Sequence, residues 1–298
     1  AAAISAGFNA PIAGVVFAHE AILRRFSVRA IAPITVASVS ASALGNQWFP
    51  HTTTFEISTM LPPLAEVVPV LVMLAPAFAL VAICFMAALR YSAQTAARMN
   101  TSPLLLPFIA ATICGLVGVW IPQILGLGIS SINDMIAGEL ALSLLLTVLI
   151  AKLLMTALCI GFGLFGGVFS PSLFIGGLAG FVVSRTINQL DIIGFKLSET
   201  NFTLVGMAGM ISGVIHGPLT AIFLIAEITG GYNLMVPLMI VSSISFAISK
   251  RFEKHSFDIK DLADKGEVFT DNRDKNMLNS IEVSKLITTD VKSIRESN

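Results

Sequence analysis

The sequence predicts an all-α polytopic membrane protein built from broken half-helices. Three observations carry that expectation. The chain of 298 residues is 55% hydrophobic and only 12% charged, with a mean hydropathy of +0.85, a composition of membrane spans rather than of a large soluble domain. Its charges are segregated: residues 1–249 carry eight Lys/Arg and eight Asp/Glu, and residues 250–298 carry ten of each. Finally, several apolar segments are cut short by glycine and proline, the pattern of half-helices that meet near the middle of a bilayer.

Taken in order, the apolar segments are 1–8, 11–23, 27–45, 64–89, 103–121, 140–162, 171–184, 202–215, 218–228 and 234–249. Several reach the ~20 residues that a spanning helix needs. Others, such as 11–23 and 218–228, are too short. Arg24, Arg25 and Arg29 stand at one end of the span at 27–45, Arg90 and Arg98 follow the next, and Lys250, Arg251 and Lys254 close the apolar part. The stretches 46–67 and 121–139 have no Lys or Arg. This asymmetry puts the basic ends on the cytoplasmic side. Residues 46–66 and 121–139 are then expected outside, and 250–298 inside. Arg185 and Lys196 fit that scheme less well, but Asp191 and Glu199 lie near them.

The run Gly166-Gly167-Val168-Phe169-Ser170-Pro171 lies between two apolar segments. Backbone without partners is costly at membrane depth unless it lines a cavity. Ser170 suits an N-cap and Pro171 a first helical position. The free N–H groups near Val168 and Phe169 would then gather at the positive end of a helix over 171–184, which favours an anion. A repeat is also present. Ile-Ser-x5-Pro-x8-Glu occurs as Ile4-Ser5, Pro11, Glu20 and again as Ile211-Ser212, Pro218, Glu227. It predicts equivalent half-helices in two halves of an inverted repeat.

Beyond 252 the composition changes. Residues 253–282 read as a cytoplasmic linker and 283–298 as the start of a small soluble domain. The three cysteines, Cys84, Cys114 and Cys159, stand apart in apolar segments without metal-ligand spacing, and read as inert buried thiols. The zero net charge gives no sign of nucleic-acid binding and no basic stripe is present, so no nucleic-acid partner is expected. His19-Glu20 raises an intramembrane zinc hydrolase, but H-E-x-x-H needs a second histidine one turn on, and that position is Leu23. No metal and no cofactor are expected, and no enzyme activity.

These motifs resemble the CLC family of chloride channels and chloride/proton antiporters. Gly167-Val168-Phe169-Ser170-Pro171 is similar to the family's G-x-F-x-P anion motif, and Phe8-Asn9-Ala10-Pro11-Ile12-Ala13-Gly14-Val15-Val16-Phe17 to its F-N-A-P-[LI]-A-G-x-x-F segment. Trp120-x-Pro122-x3-Gly126-x-Gly128 and Gly217-Pro218-Leu219-Thr220 with Glu227-Ile228-Thr229 also match. The tail from Val283 resembles the opening of a CBS domain. The resemblance implies the second half of an inverted-repeat fold and a multi-pass protein of the cell membrane that carries chloride. It also implies a homodimer joined through 11–23, 27–45, 218–228 and 234–249. The family's G-S-G-x-P and G-x-E-G-P loops do not occur in this sequence, so most of the first repeat is expected to be missing from it.

Gly167, Val168, Phe169, Ser170 and Pro171 are therefore the expected anion site. Glu20 is a candidate inner gate or proton site; its other reading is a carboxylate paired with Arg24 one turn on. Glu227 is expected to be structural. Lys152, deep in its span, either adds positive potential to the anion route or snorkels to an interface. Proton-coupled relatives have an acidic residue directly after the position of Glu20, where this chain has Ala21. The family tyrosine that reaches a bound chloride is matched by Phe257 or Asp258. Ala21 favours passive conduction, with chloride/proton exchange as the alternative.

Overall fold

The structure is a computed structural model, and it describes residues 1–48, 64–99, 101–102, 104–136 and 141–257. The end of the expected linker, the expected start of a CBS domain and Asp258 lie outside the described residues. So do residues 49–63.

Every regular element among the described residues is helical. The α-helices are α1 (Ala2–Phe8), α2 (Pro11–Phe17), α3 (Val28–Trp48), α4 (Leu64–Arg98), α5 (Leu105–Trp120), α6 (Ile129–Ile136), α7 (Leu142–Gly161), α8 (Phe169–Leu190), α9 (Glu199–Ile215), α10 (Pro218–Ile228) and α11 (Met235–Phe252). Five of them, α3, α4, α7, α8 and α11, are long and apolar enough to cross a membrane. α4 runs on past the apolar stretch to Arg98, and tolerates Pro69 and Pro76 in its interior. Helix α6 and the single 3₁₀ turn at Pro122–Ile124 were not expected from the sequence, because both are shorter than a periodicity window can detect.

The repeat holds at the level of single dihedral angles. Asn9 and His216 each end a helix in the left-handed conformation, at φ 51° and 59°. The next residues, Ala10 and Gly217, are at φ −125° ψ 77° and φ −126° ψ 75°. Pro11 and Pro218 then open α2 and α10, where a missing N–H costs nothing and the fixed φ favours the turn. Val28 and Met235 open α3 and α11 with the same offset. Packing repeats as well: α1 packs on α2 and α3, and α9 packs on α10 and α11.

Close helix contact is built with glycine. The α8 pair Gly176 and Gly180 faces Gly206 of α9, and the backbones approach so closely that a Cβ on Gly180 would lie 2.0 Å from the Phe202 carbonyl oxygen. Lipid gives helices no hydrophobic reason to associate, so such small-residue crossings supply the van der Waals contact that does. Around them lies a continuous core that includes Phe78, Phe85, Phe174 and Phe181, all buried.

Candidate anion site

Helix α8 starts two residues earlier than the sequence suggested. Val168 is the N-cap, at φ −84° ψ −13°, with no side-chain cap, and Phe169 is the first helical residue. Pro171 falls third in the helix rather than first. It is tolerated there because the first turn has no intrahelical acceptors for its N–H groups. Ser170 does not cap. Ser172 ties the turn down instead, donating from its N–H at 3.0 Å and from its hydroxyl at 2.6 Å to the Val168 carbonyl. Among the described residues, no acceptor is found for the N–H groups of Gly166 to Ser170. Several donors therefore converge at the positive end of a 22-residue helix.

The Phe169 ring joins this loop to the other repeat. Its centroid lies 5.3 Å from that of Phe8, at the end of α1, and 6.0 Å from that of Phe17, at the end of α2. The two motifs singled out in the sequence thus meet through their phenylalanines. Val168 is buried, and a Cβ on Gly167 would meet nothing within 4 Å, so the loop backbone stays open on that side.

A cavity of about 180 Å³ borders the loop at Gly166, Gly167 and Pro171. Lys152 lines its other side and is buried, so it does not snorkel. Its ammonium donates to the carbonyls of Ile124 at 2.7 Å and Gly126 at 2.8 Å, and lies 5.1 Å from the centroid of the Phe174 ring. The stretch after Trp120 is what it holds. Gly126 and Gly128 are at φ 64° and 79°, and a Cβ on Gly128 would strike the Phe174 ring at 2.2 Å. The glycines of the Trp-x-Pro-x3-Gly-x-Gly motif let this stretch turn and lie flat on α8. The two carbonyls fix the Lys152 amine beside the cavity.

The carboxylates do something the sequence did not disclose. Glu20 lies just beyond α2, in a π-turn over Ala18–Ile22. Its oxygens accept from the N–H groups of Leu219 (3.0 Å) and Thr220 (2.7 Å), and from the Thr220 hydroxyl (2.7 Å). Glu227, near the end of α10, accepts from the N–H groups of Ile12 (2.9 Å) and Ala13 (2.7 Å). Each half-helix therefore ends in a carboxylate that caps the start of the other, so α2 and α10 run antiparallel. A negative group at a helix N-terminus satisfies orphan donors and complements the dipole. Neither reading made of Glu20 from the sequence included this role.

Other expected residues fall elsewhere. Phe257 packs partly buried against the core. His19 is buried, with its ring nitrogens facing the carbonyls of Val15 (3.0 Å) and Ser27 (3.4 Å) and its ring stacked on Phe26. Among the described residues no cluster of three His, Cys, Asp or Glu stands ready for a metal. The cysteines are not all buried, and two of them are not isolated: Cys84 is exposed, while Cys114 and Cys159 are half-buried and both line the cavity. The packing of α5 on α7 brings them together, which no spacing along the chain announces.

Antiparallel half-helices, glycine-packed spans and a loop of unpaired amides beside a cavity define a multi-pass membrane protein of inverted-repeat architecture. Residues 1–250 match the voltage gated chloride channel family, and the chain belongs to that family, the CLC family. It is 26% identical over 248 residues to the H(+)/Cl(-) exchange transporter ClcA of Vibrio vulnificus (strain YJ016), covering 81% of this chain and 53% of that protein. It is 27% identical over 258 residues to the chloride channel protein CLC-f of Arabidopsis thaliana, covering 80% of this chain and 33% of that one. The chain thus spans about half the length of its bacterial relative or less of the plant one. Its fold is similar to the crystal structure of a CLC-type fluoride/proton antiporter, with TM-score 0.72 and 24% identity over 82% of this chain and 60% of the other.

Proposed function

We propose that this protein moves chloride across a membrane and exchanges it for protons, with the anion held by the backbone amides around Val168 and Phe169. The observation that carries the anion site is the run of N–H groups without acceptors from Gly166 to Ser170, beside a cavity with a buried lysine. Backbone donors fixed at a helix start need no reorganisation to receive an anion, and bear no charge that would trap it. The exchange reading is supported by the names of its relatives, ClcA and the fluoride/proton antiporter.

Passive conduction is the second reading. Ala21 stands where exchangers have a carboxylate, and both oxygens of the neighbouring Glu20 are engaged in capping α10. In this proposal the protein acts in the cell membrane as a homodimer, through 11–23, 27–45, 218–228 and 234–249. Its α3 and α10 offer exposed Val36, Val39 and Leu219 for that contact.

Liposomes containing the full-length protein, read with chloride and pH electrodes together, separate the two readings. Exchange predicts that a chloride gradient drives protons uphill. Chloride flux with no proton movement would leave passive conduction. Val168→Pro removes one donor from the loop. Chloride affinity by calorimetry is expected to fall about tenfold, the value of one hydrogen bond to an ion. Unchanged affinity would remove Val168 from the site.

A further inference from the structure

The geometry points to a binding site for a soft d10 cation of the Cu(I) class, made by the thiols of Cys114 and Cys159 and the thioether of Met155, at the cavity beside the anion loop. All three side chains line that one cavity. Met155 and Cys159 are one helical turn apart on α7 and so share a face. Cys114 faces them from α5 across the same cavity. Two sulfurs bound to one ion at about 2.3 Å each lie no more than about 4.6 Å apart, a span that side chains lining one cavity reach by changing rotamer.

Ligand chemistry selects the ion. The lining of this cavity includes no carboxylate and no imidazole, which would suit magnesium, calcium or zinc. Two thiolates and a thioether are soft donors that suit Cu(I). Charge selects it as well. Binding proceeds as Cu⁺ with two Cys–SH giving a bis-thiolate Cu(I) centre and two protons released to solvent, with no change of oxidation state. The centre carries one net negative charge, and the Lys152 side chain lines the same cavity. Cys84 is exposed and has no part in the site. The inference does not depend on which ion the protein transports.

The test uses the full-length protein in detergent and chloride-free buffer, because halides compete for Cu(I). Cu(I) is supplied as its coloured bicinchoninate complex. Wild type and Cys84→Ser are expected to withdraw one Cu(I) per subunit. Cys114→Ser and Cys159→Ser each lower affinity about a hundredfold, and Met155→Leu about tenfold. A second measurement needs no variant. Cu(I) should protect Cys114 and Cys159 of the wild-type protein from maleimide, read by mass spectrometry of the peptides, and leave Cys84 reactive. Wild type that leaves all the Cu(I) on bicinchoninate would overturn the site. So would a Cys114→Ser/Cys159→Ser protein that binds as tightly as wild type, or equal labelling of Cys114 and Cys159 with and without Cu(I).

Discussion

The segment α1–α3 and the segment α9–α11 share their turns and differ in what this chain packs against them. Their turns match at Asn9 and His216 and at Ala10 and Gly217, yet all but the first two residues of α9 are buried while α1 buries only Ser5. Helices α4, α8, α10 and α11 pack around α9. The difference teaches that local sequence sets the path of the chain, whereas burial sets which side chains each position tolerates. Gly213 of α9 stands where α1 has Ala6. A Cβ at Gly213 would lie 2.7 Å from that of Ala82 on α4, whereas Ala6 lies on a half-exposed face.

The largest expected effect comes from breaking the crowded side of that comparison. In Gly206→Ala the new Cβ lands 2.3 Å from the Gly176 carbonyl oxygen, a backbone atom that cannot swing away. A loss of about 3 kcal/mol or more is expected, read as a lower melting temperature and poor recovery of monodisperse protein. Gly7→Ala is the counterpart in α1, where a Cβ meets nothing within 4 Å. It should stabilise by about 0.5–1 kcal/mol through lower chain entropy. Equal losses in the two variants would mean that α1 is as crowded as α9.

The carboxylates sharpen what the halves share. Glu20→Ala and Glu227→Ala each strip a charge-assisted cap, at a cost of about 1–3 kcal/mol. Glu20 should cost more, since it accepts three hydrogen bonds against two. The caps close one α2–α10 contact, so the double variant should lose less than the sum of the singles. Strict additivity in thermal unfolding would show that the two caps act independently.

The smallest effect separates equivalent serines. The Ser42 hydroxyl donates to the Asn9 side-chain oxygen at 2.7 Å, whereas the hydroxyl at the equivalent Ser249 is buried and has no partner among the described residues. Ser42→Ala should cost about 1 kcal/mol, and Ser249→Ala should be neutral or slightly stabilising, because it removes an unsatisfied group. The same melting measurement distinguishes them, and the reverse order would deny the Ser42–Asn9 bond.

The halves also mark how far the sequence could be read. Pro11 and Pro218 announce α2 and α10 because proline at a helix start is a local signal. The lengths of α3, α7 and α11 follow from unbroken apolar runs. The residues of the loop before α8 were legible too, though not its first helical residue, since proline fits both the first and the third positions of a helix. Glu20 was not legible. Its partners, Leu219 and Thr220, lie in the other repeat, and no periodicity along α2 points to them.

By itself, then, the sequence determined the all-helical class, the broken half-helices, their repetition and the glycine-rich break before α8. All of these depend on composition and on interactions between near neighbours in the chain. Only the tertiary structure decided that Glu20 and Glu227 cap each other's helices, that Lys152 holds the carbonyls of Ile124 and Gly126, and that Cys114 faces Cys159. Those are contacts between segments far apart in the chain, and their partners are chosen by which helices pack together. The packing depends in turn on where glycine lets two backbones approach, as Gly176, Gly180 and Gly206 do between α8 and α9.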